Sequence, residues 1–241
     1  MNELLKYTLI GLFFGTFGTT IGGIIGLTIK TTSNKFLSFI LSFAGGLMLS
    51  IVCFDLIPEA LEITSVKKVL IGTLFGVICM MICEVLVDNK LKANINSLLR
   101  AGIVASIGIA IHNFPEGLAI GSGFSSSVVL GYSLAIAICI HDIPEGISMA
   151  VPMKNGGISS KKVITYVILS GITTGIGAFF GKLIGGISEE IIAMCLSFAA
   201  GAMLYIVSGE LIPESNKLYS GKISTVGNVI GFIIGLIATR I

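Results

Sequence analysis

Residues 42–60 read SFAGGLMLSIVCFDLIPEA, and residues 197–215 read SFAAGAMLYIVSGELIPES. The two stretches align without gaps and are identical at twelve of nineteen positions. Each is predominantly apolar, and about 20 apolar residues are what a helix needs to cross the hydrocarbon core of a bilayer. Lipid offers the backbone no hydrogen-bond partners, so such segments must be helices rather than open strands. The repeated stretch therefore predicts a helical membrane protein with an internal duplication.

The composition of the whole chain agrees with this interpretation. Of its 241 residues, 54% are hydrophobic and 12% are charged, and the mean hydropathy is +1.01. Soluble domains contain about 25% charged residues, so the composition argues against one here. We expect a single transmembrane domain over residues 1–241, all-α, with eight spans at about 4–29, 36–57, 68–87, 98–121, 128–152, 161–184, 191–213 and 223–239.

The order of the repeats predicts inverted symmetry. The quoted stretches fall on spans two and seven, which run through the membrane in opposite directions. A second pair, HNFPEG at 112–117 and HDIPEG at 141–146, falls on the oppositely directed spans four and five. Inverted repeats are common in secondary transporters, whose substrate site lies near the middle of the membrane between the repeats. The alternative is a structural bundle built by duplication, without a transport role.

The second pair carries the side chains that lipid tolerates least. The chain has 2 histidines, and both occupy the first position of this motif. An ionisable group at the bilayer centre costs about 2.5–3.5 kcal/mol on insertion scales, so several together predict a bound cation. Imidazole and carboxylate ligands suit Zn, Fe(II), Mn, Co or Ni better than Ca or Mg. The candidate metal ligands are His112, Asn113, Glu116, His141, Asp142 and Glu145.

The geometry of a helix brings these ligands together. In each motif the histidine and the glutamate are four residues apart, and therefore lie on the same helix face. A short link near residues 122–127 makes spans four and five an antiparallel hairpin, so the two half-sites reach a similar depth. Pro115 and Pro144 each remove a helix hydrogen bond and free a carbonyl oxygen beside the ligands. The sequence thus predicts two facing half-sites.

Two further acids, Asp55 and Glu210, occupy equivalent positions of the repeated stretch. Each is open to two interpretations, a helix end that meets water or a gate that gathers or releases the ion. No cofactor is expected, because the divalent metal would be the transported substrate. The 5 cysteines form no CxxC pair, so no disulfide framework is predicted.

Two other functions fit the same residues. A membrane-embedded metal-dependent hydrolase could use a metal-bound water with a glutamate as base, although no HExxH or G-x-S-x-G motif is present. A transporter of protons or organic ions could use the acids and histidines as a relay without metal. We expect a transporter rather than an enzyme. The net charge of +2 and the lack of a basic cluster predict no nucleic-acid partner.

The distribution of cationic residues predicts the orientation in the membrane. With eight spans both termini lie on one side, and the loops of the two sides can be compared. The side of the termini holds five cationic residues, Lys6, Lys67, Lys68, Lys182 and Arg240. The other side holds ten, namely Lys30, Lys35, Lys90, Lys92, Arg100, Lys154, Lys161, Lys162, Lys217 and Lys222. The positive-inside rule then predicts both termini outside the cytoplasm. We expect the protein in a plasma membrane, such as a bacterial inner membrane.

With HNFPEG, HDIPEG, eight expected spans and external termini, the chain resembles the ZIP family of metal-ion transporters, in particular its compact prokaryotic branch. The resemblance covers essentially the whole chain. It implies a three-plus-two-plus-three arrangement of helices, movement of zinc or a related divalent cation toward the cytoplasm, and homodimers. It also implies that the candidate residues are metal ligands, although His141 occupies a position that binds metal in only some members.

The resemblance also assigns residues outside the motif pair. Similar members can hold two metals with a further carboxylate from span six, where this chain has Thr174. That departure weighs against a full second site. Met48 resembles a thioether that approaches the primary site, with core packing as the alternative, and Asp55 resembles an entrance residue. The candidate pathway residues are therefore Met48, Asp55, Glu210 and Thr174.

Overall fold

A computed structural model describes residues 2–29, 33–90 and 97–238, apart from the side chains at 83, 84, 86–90, 97–105, 112, 152 and 238. The described residues are largely helical and contain no strand, which confirms the prediction of an all-helical fold. Within these ranges the helices are α1 (Glu3–Thr28), α2 (Asn34–Ile63), α3 (Val66–Lys90), α4 (Ser97–Ser126), α5 (Val128–Asn155), α6 (Ser160–Gly185), α7 (Glu189–Leu218) and α8 (Lys222–Ala238).

The lengths and the apolar character of these helices define a membrane protein. Among the described residues, five helices are long and apolar enough to cross a bilayer, namely α1, α2, α5, α6 and α7. A shorter apolar helix lies at Lys222–Ile237, within α8. Large apolar side chains are exposed along α3, for example Leu74 and Phe75. Such a surface is stable against lipid tails rather than against water.

The helices α2 and α7 match each other residue for residue under the alignment that relates 42–60 to 197–215. Each is capped by a serine, Ser33 or Ser188, whose hydroxyl accepts a hydrogen bond from the first helical turn. Each contains one wide π-helical turn, Val52–Leu56 or Val207–Leu211. A proline follows each π-helical turn by two residues and cannot donate a backbone hydrogen bond, so the wide turn accommodates the missing donor.

The π-helical turns also change the expectation for the acids of the repeat. Asp55 and Glu210 lie inside these turns, and the helices continue beyond them to Ile63 and Leu218. Neither acid is at a helix end. The interpretation that each simply marks a helix end in water is therefore wrong, because the proline widens the helix instead of ending it.

The helices pack as an inner bundle with two outer pairs. The inner bundle consists of α1, α4, α5 and α6, in which α4 packs along α6 and α5, and α1 packs along α5 and α6. The outer pairs are α2 with α8 and α3 with α7. The inner bundle contacts the outer pairs chiefly where α4 meets α7 and α2 meets α5. The motif pair thus lies within one four-helix unit.

Glycines bring the helices of the inner bundle into backbone contact. At the crossing of α4 and α6, a Cβ on Gly117 would collide with the carbonyl oxygen of Thr174. At the crossing of α1 and α5, a Cβ on Gly22 would collide with the carbonyl oxygen of Ile143. Small residues allow this approach, as in many membrane helix pairs. These crossings hold α1 and α6 against the turns of α4 and α5 that carry the candidate ligands.

Candidate metal centre

The helices that carry the motif pair form a tight antiparallel hairpin. The helix α4 ends at Ser126 and α5 begins at Val128, so Ser127 alone links them. Its backbone N–H donates to the carbonyl oxygen of Gly123 at 2.8 Å, and its own carbonyl accepts from Gly131 at 3.0 Å. The link is shorter than the sequence indicated, because both helices continue into it. The two motifs consequently lie side by side across the hairpin.

Three candidate ligands meet between these two helices. The Nε2 atom of His141 lies 3.0 Å from Oε1 of Glu116 and 3.5 Å from Oδ1 of Asp142. One ligand atom from each of the three residues can be chosen so that all lie within 4.8 Å of one another. The sequence grouped each histidine with the glutamate of its own helix, whereas the closest observed pair joins His141 of α5 to Glu116 of α4. Four-residue spacing sets the face of a helix but not its nearest neighbour on the other helix.

These side chains are fully buried, and some of their polar atoms have no hydrogen-bond partner among the described residues. Glu116, His141 and Asp142 have no exposed surface. Oε2 of Glu116 and Oδ2 of Asp142 have no hydrogen-bond partner among the described residues. A buried charge without a partner is costly, and buried charges normally pair or coordinate metals. The arrangement of imidazole and carboxylates is therefore suited to a divalent transition-metal ion.

Two further candidates are buried on the same two helices. Glu145 is fully buried on α5, close enough for its charge to act on both His141 and Asp142. Asn113 is also fully buried, and its Nδ2 donates to the carbonyl oxygen of Ser170 at 3.1 Å. That bond fixes which end of the amide is the donor, and leaves Oδ1 buried without a partner among the described residues. Asn113 is thereby held with a free oxygen available as a ligand.

His112 is the one candidate ligand that falls outside this description. Its side chain is not among the described residues. Its place in the sequence is one helical turn before Glu116 on α4, so it stays a predicted ligand on that ground.

The candidate pathway residues differ in their surroundings. Met48 and Thr174 are fully buried, and Oγ1 of Thr174 has no hydrogen-bond partner among the described residues. Asp55 is buried with 8% of its surface exposed, whereas its counterpart Glu210 is half-buried. One turn beyond Asp55, a carboxylate oxygen of Glu59 accepts a hydrogen bond from the hydroxyl of Ser126, which joins α2 to α4. The two copies of the repeat therefore have the same backbone conformation, but their acidic side chains differ in burial.

Sequence reasoning missed the role of Ser170 beside the centre. Ser170 contributes a main-chain carbonyl, which every residue has, so its residue type gave no signal. The glycines Gly117 and Gly177 of the α4–α6 crossing were more accessible to prediction. Gly117 belongs to the motif itself. Gly177 lies opposite it on α6, where a Cβ would collide with the carbonyl oxygen of Phe114.

The fold and the site together define an all-helical membrane protein with a buried group of ligands suited to a divalent metal ion. Residues 87–239 match the family model described as ZIP Zinc transporter. The chain is 31% identical over 239 residues to the zinc transporter ZupT of Shigella dysenteriae serotype 1, covering 92% of this chain and 93% of that protein. The ZupT of Escherichia coli O127:H6 is 32% identical with the same coverage.

A further relative is the zinc transporter GufA of Myxococcus xanthus, 38% identical over 132 residues. That alignment covers 54% of this chain and 52% of GufA. The chain belongs to the ZIP family. It is accordingly a multi-pass membrane protein that transports divalent metal ions, and it is a transporter rather than an enzyme. The hydrolase alternative is thereby set aside.

Proposed function

We propose that this protein moves zinc across the membrane toward the cytoplasm through the buried group on α4 and α5. Related divalent ions, Fe, Mn, Co and Cd, are further candidate substrates. The observation that carries the proposal is the set of buried, close-lying polar atoms of Glu116, His141 and Asp142, two of whose carboxylate oxygens lack partners among the described residues. Such a group is most stable when a doubly charged cation neutralises it.

In this proposal the ligands come from both halves of the hairpin. Glu116 and Asp142 supply carboxylate oxygens, and His141 supplies Nε2. Glu145 and the amide oxygen of Asn113 complete the coordination from the same buried region, and His112 joins them from the turn before Glu116. Harder ions such as Mg²⁺ prefer a shell of oxygen atoms and waters, so the imidazoles favour zinc and its neighbours.

We propose that all eight helices span the membrane in the three-plus-two-plus-three arrangement, with inverted symmetry. The supporting observation is a symmetry between the two halves of the chain. It relates α1 to α6, α2 to α7, α3 to α8 and α4 to α5. Under it the pair α2–α8 becomes α7–α3, and the pair α1–α5 becomes α6–α4, all of which pack closely. The glycine crossings of α2 with α8 and of α3 with α7, at Gly46 and Gly201, are related by the same alignment as the repeated stretch.

The orientation follows from the count of cationic residues. We place both termini outside the cytoplasm, in a plasma membrane such as a bacterial inner membrane, because ten of the fifteen cationic residues fall on the opposite side. Lys30, Lys92 and Arg240 of that count lie outside the described residues. With this orientation, uptake toward the cytoplasm starts at the end of the hairpin near Ser127. Homodimers, as the resemblance implies, belong to the same proposal.

The path to the centre is proposed to run along α2. Asp55, buried in its π-helical turn, attracts the ion, and Met48 lies two turns further along the same helix. Thr174 lies on α6, its carbonyl oxygen faces Gly117 next to Glu116, and its buried hydroxyl has no hydrogen-bond partner among the described residues. Glu210 occupies the equivalent turn of α7 and lies on the release side in this orientation.

The test is uptake of radioactive zinc, iron and manganese into proteoliposomes. We expect Glu116→Ala and His112→Ala to lower zinc uptake at least about tenfold, the scale on which losses in and around a metal site act. Glu214→Ala is the matched control, because this glutamate is exposed and pairs with Lys217 on the surface at 3.3 Å. Equal uptake by the native protein and both centre variants would reject the proposed site. Proton flux without metal uptake would instead favour a metal-free relay.

A further inference from the structure

A row of buried side chains with potential metal-binding atoms continues along α5 beyond the candidate centre. His141, Glu145, Met149 and Met153 follow one another at four-residue intervals, so they lie on one helix face. All four are fully buried. The row ends just before Asn155, where α5 ends. It leads from the ligand group to the end of the bundle opposite the hairpin link.

Each of the two methionine sulfurs faces a serine hydroxyl on another helix of the inner bundle. The Oγ of Ser170 on α6 lies 3.6 Å from Sδ of Met149. The Oγ of Ser106 on α4 lies 4.0 Å from Sδ of Met153. The sulfurs therefore point into the bundle and not toward the lipid. Ser170 is also the residue whose carbonyl oxygen accepts from Asn113, so the first of these pairs is connected to a candidate ligand.

The Met149–Ser170 pair presents lone pairs from both atoms. Ser170 has one hydroxyl hydrogen, and its shorter bond, 2.8 Å, runs to the carbonyl oxygen of Val167. The same hydroxyl also donates, more weakly, toward Sδ of Met149 at 3.6 Å, so the sulfur and the hydroxyl oxygen lie close together with lone pairs on both atoms. Zinc binds carboxylate oxygen at about 2.1 Å and thiolate sulfur at about 2.3 Å, and two atoms held at these lengths at a tetrahedral angle lie about 3.6 Å apart. The observed 3.6 Å agrees with that separation, so both atoms can face one cation when the hydroxyl hydrogen points to Val167 alone.

We propose that the Met149–Ser170 and Met153–Ser106 pairs, here called the thioether row, form transient metal sites on the route between the candidate centre and the far end of α5. The inference rests on the proposed function. A thioether is a soft ligand that binds soft cations more readily than hard ones. The thioether row therefore favours Cd²⁺ and Zn²⁺ over Mn²⁺, and makes the protein selective at a step that follows binding at the centre.

Packing alone is the competing explanation. The two methionines also touch a small apolar cluster that includes Ile109, Val163 and Val167. Leucine fills nearly the same volume as methionine and usually costs little stability. Leucine substitutions therefore keep the packing and remove only the sulfur.

The test measures initial uptake of Cd²⁺, Zn²⁺ and Mn²⁺ into proteoliposomes by the native protein, Met149→Leu, Met153→Leu and the double variant. We expect the Cd-to-Mn uptake ratio to fall about fivefold in the double variant, the effect of one weak bond, and by less in each single variant. Met203→Leu is the matched control, because Met203 is equally buried but lies on α7, outside the thioether row. Its ratio should equal that of the native protein.

An unchanged ratio in both single variants would overturn the inference, as would an equal fall in Met203→Leu. If the double variant is not recovered as folded protein, the single variants decide. Glu116→Ala distinguishes a failure of the proposed centre from a failure of the thioether row. Native uptake by that variant would reject the proposed centre, whereas its loss together with unchanged ratios in the methionine variants would reject the thioether row alone.

Discussion

The inner bundle and the outer helix pairs differ in how far their buried polar atoms are hydrogen-bonded. In the outer pairs the hydroxyl of Ser215 donates to the carbonyl oxygen of Ser38 at 2.7 Å and its oxygen lies 2.8 Å from the hydroxyl of Ser224, so the buried polar atoms satisfy one another across α2, α7 and α8. In the inner bundle, oxygen atoms of Glu116 and Asp142 are buried without partners among the described residues. Outside the inner bundle, Oγ1 of Thr73 on α3 is also buried without a hydrogen-bond partner among the described residues.

The difference separates polar groups that hold helices together from polar groups that await a ligand. Native proteins satisfy the great majority of their buried polar atoms. A concentration of unsatisfied ones on α4, α5 and α6 therefore points to a substrate, and the satisfied serines of the outer pairs point to structure. The following predictions test this contrast, from the largest expected effect to the smallest.

The largest effect is expected from removing charge in the inner bundle. Glu145→Gln keeps the size of the side chain but removes a buried carboxylate beside His141 and Asp142. Zinc uptake into proteoliposomes should fall by about 10- to 100-fold, the range found when a metal site loses a supporting group. Glu214→Gln on the exposed end of α7 is the control. Similar uptake by both variants would remove the contrast between the two regions.

A second prediction concerns the backbone contact that positions the centre. In Gly117→Ala the new methyl group would collide with the carbonyl oxygen of Thr174, so α4 and α6 must separate. We expect a loss of about 1–3 kcal/mol of stability, seen as a lower melting temperature in detergent. Gly209→Ala on α7 is the control, because the nearest atom to its Cβ would be 3.9 Å away. Equal melting temperatures for the two variants would contradict the described crossing.

A third prediction compares the two copies of the repeat. Asp55→Asn removes a buried charge on the proposed entrance, and should lower zinc uptake about tenfold at low zinc concentration, since charged entrances raise association rates by about that much or more. Uptake at saturating zinc should change much less. Glu210→Gln, at the equivalent but more exposed position, should leave both values nearly unchanged. A larger effect at Glu210 would reverse the proposed direction of entry.

The smallest effect is expected in the outer pairs. Ser215→Ala removes the hydrogen bonds to Ser38 and Ser224, and such bonds between membrane helices contribute about 0.6 kcal/mol on average. Chemical denaturation in detergent should show a loss of that size. Zinc uptake should be unchanged, because the serines satisfy one another and hold no ion. A strong loss of uptake without a loss of stability would assign these serines to transport instead.

The sequence carried much of this description because lipid restricts what a chain can do. Apolar length predicted helices, and the alignment of 42–60 with 197–215 predicted the equivalence of α2 and α7. The paired HxxPEG motifs predicted which helices meet at the candidate centre. Other features depend on how the helices pack against one another and could not be predicted from the sequence. The pairing of His141 with Glu116 depends on how α4 rotates against α5, and the π-helical turn at Asp55 replaces a helix end because a proline can be accommodated in two ways.

The central claim is that the buried group on α4 and α5 holds the transported ion, and anomalous X-ray scattering at the zinc edge tests it most directly. Crystals grown with zinc should show a peak about 2.0–2.2 Å from carboxylate oxygens of Glu116 and Asp142 and from Nε2 of His141. The same peak should be absent from crystals of Glu116→Gln. Zinc bound elsewhere in the native protein, with no peak among these three side chains, would contradict the account.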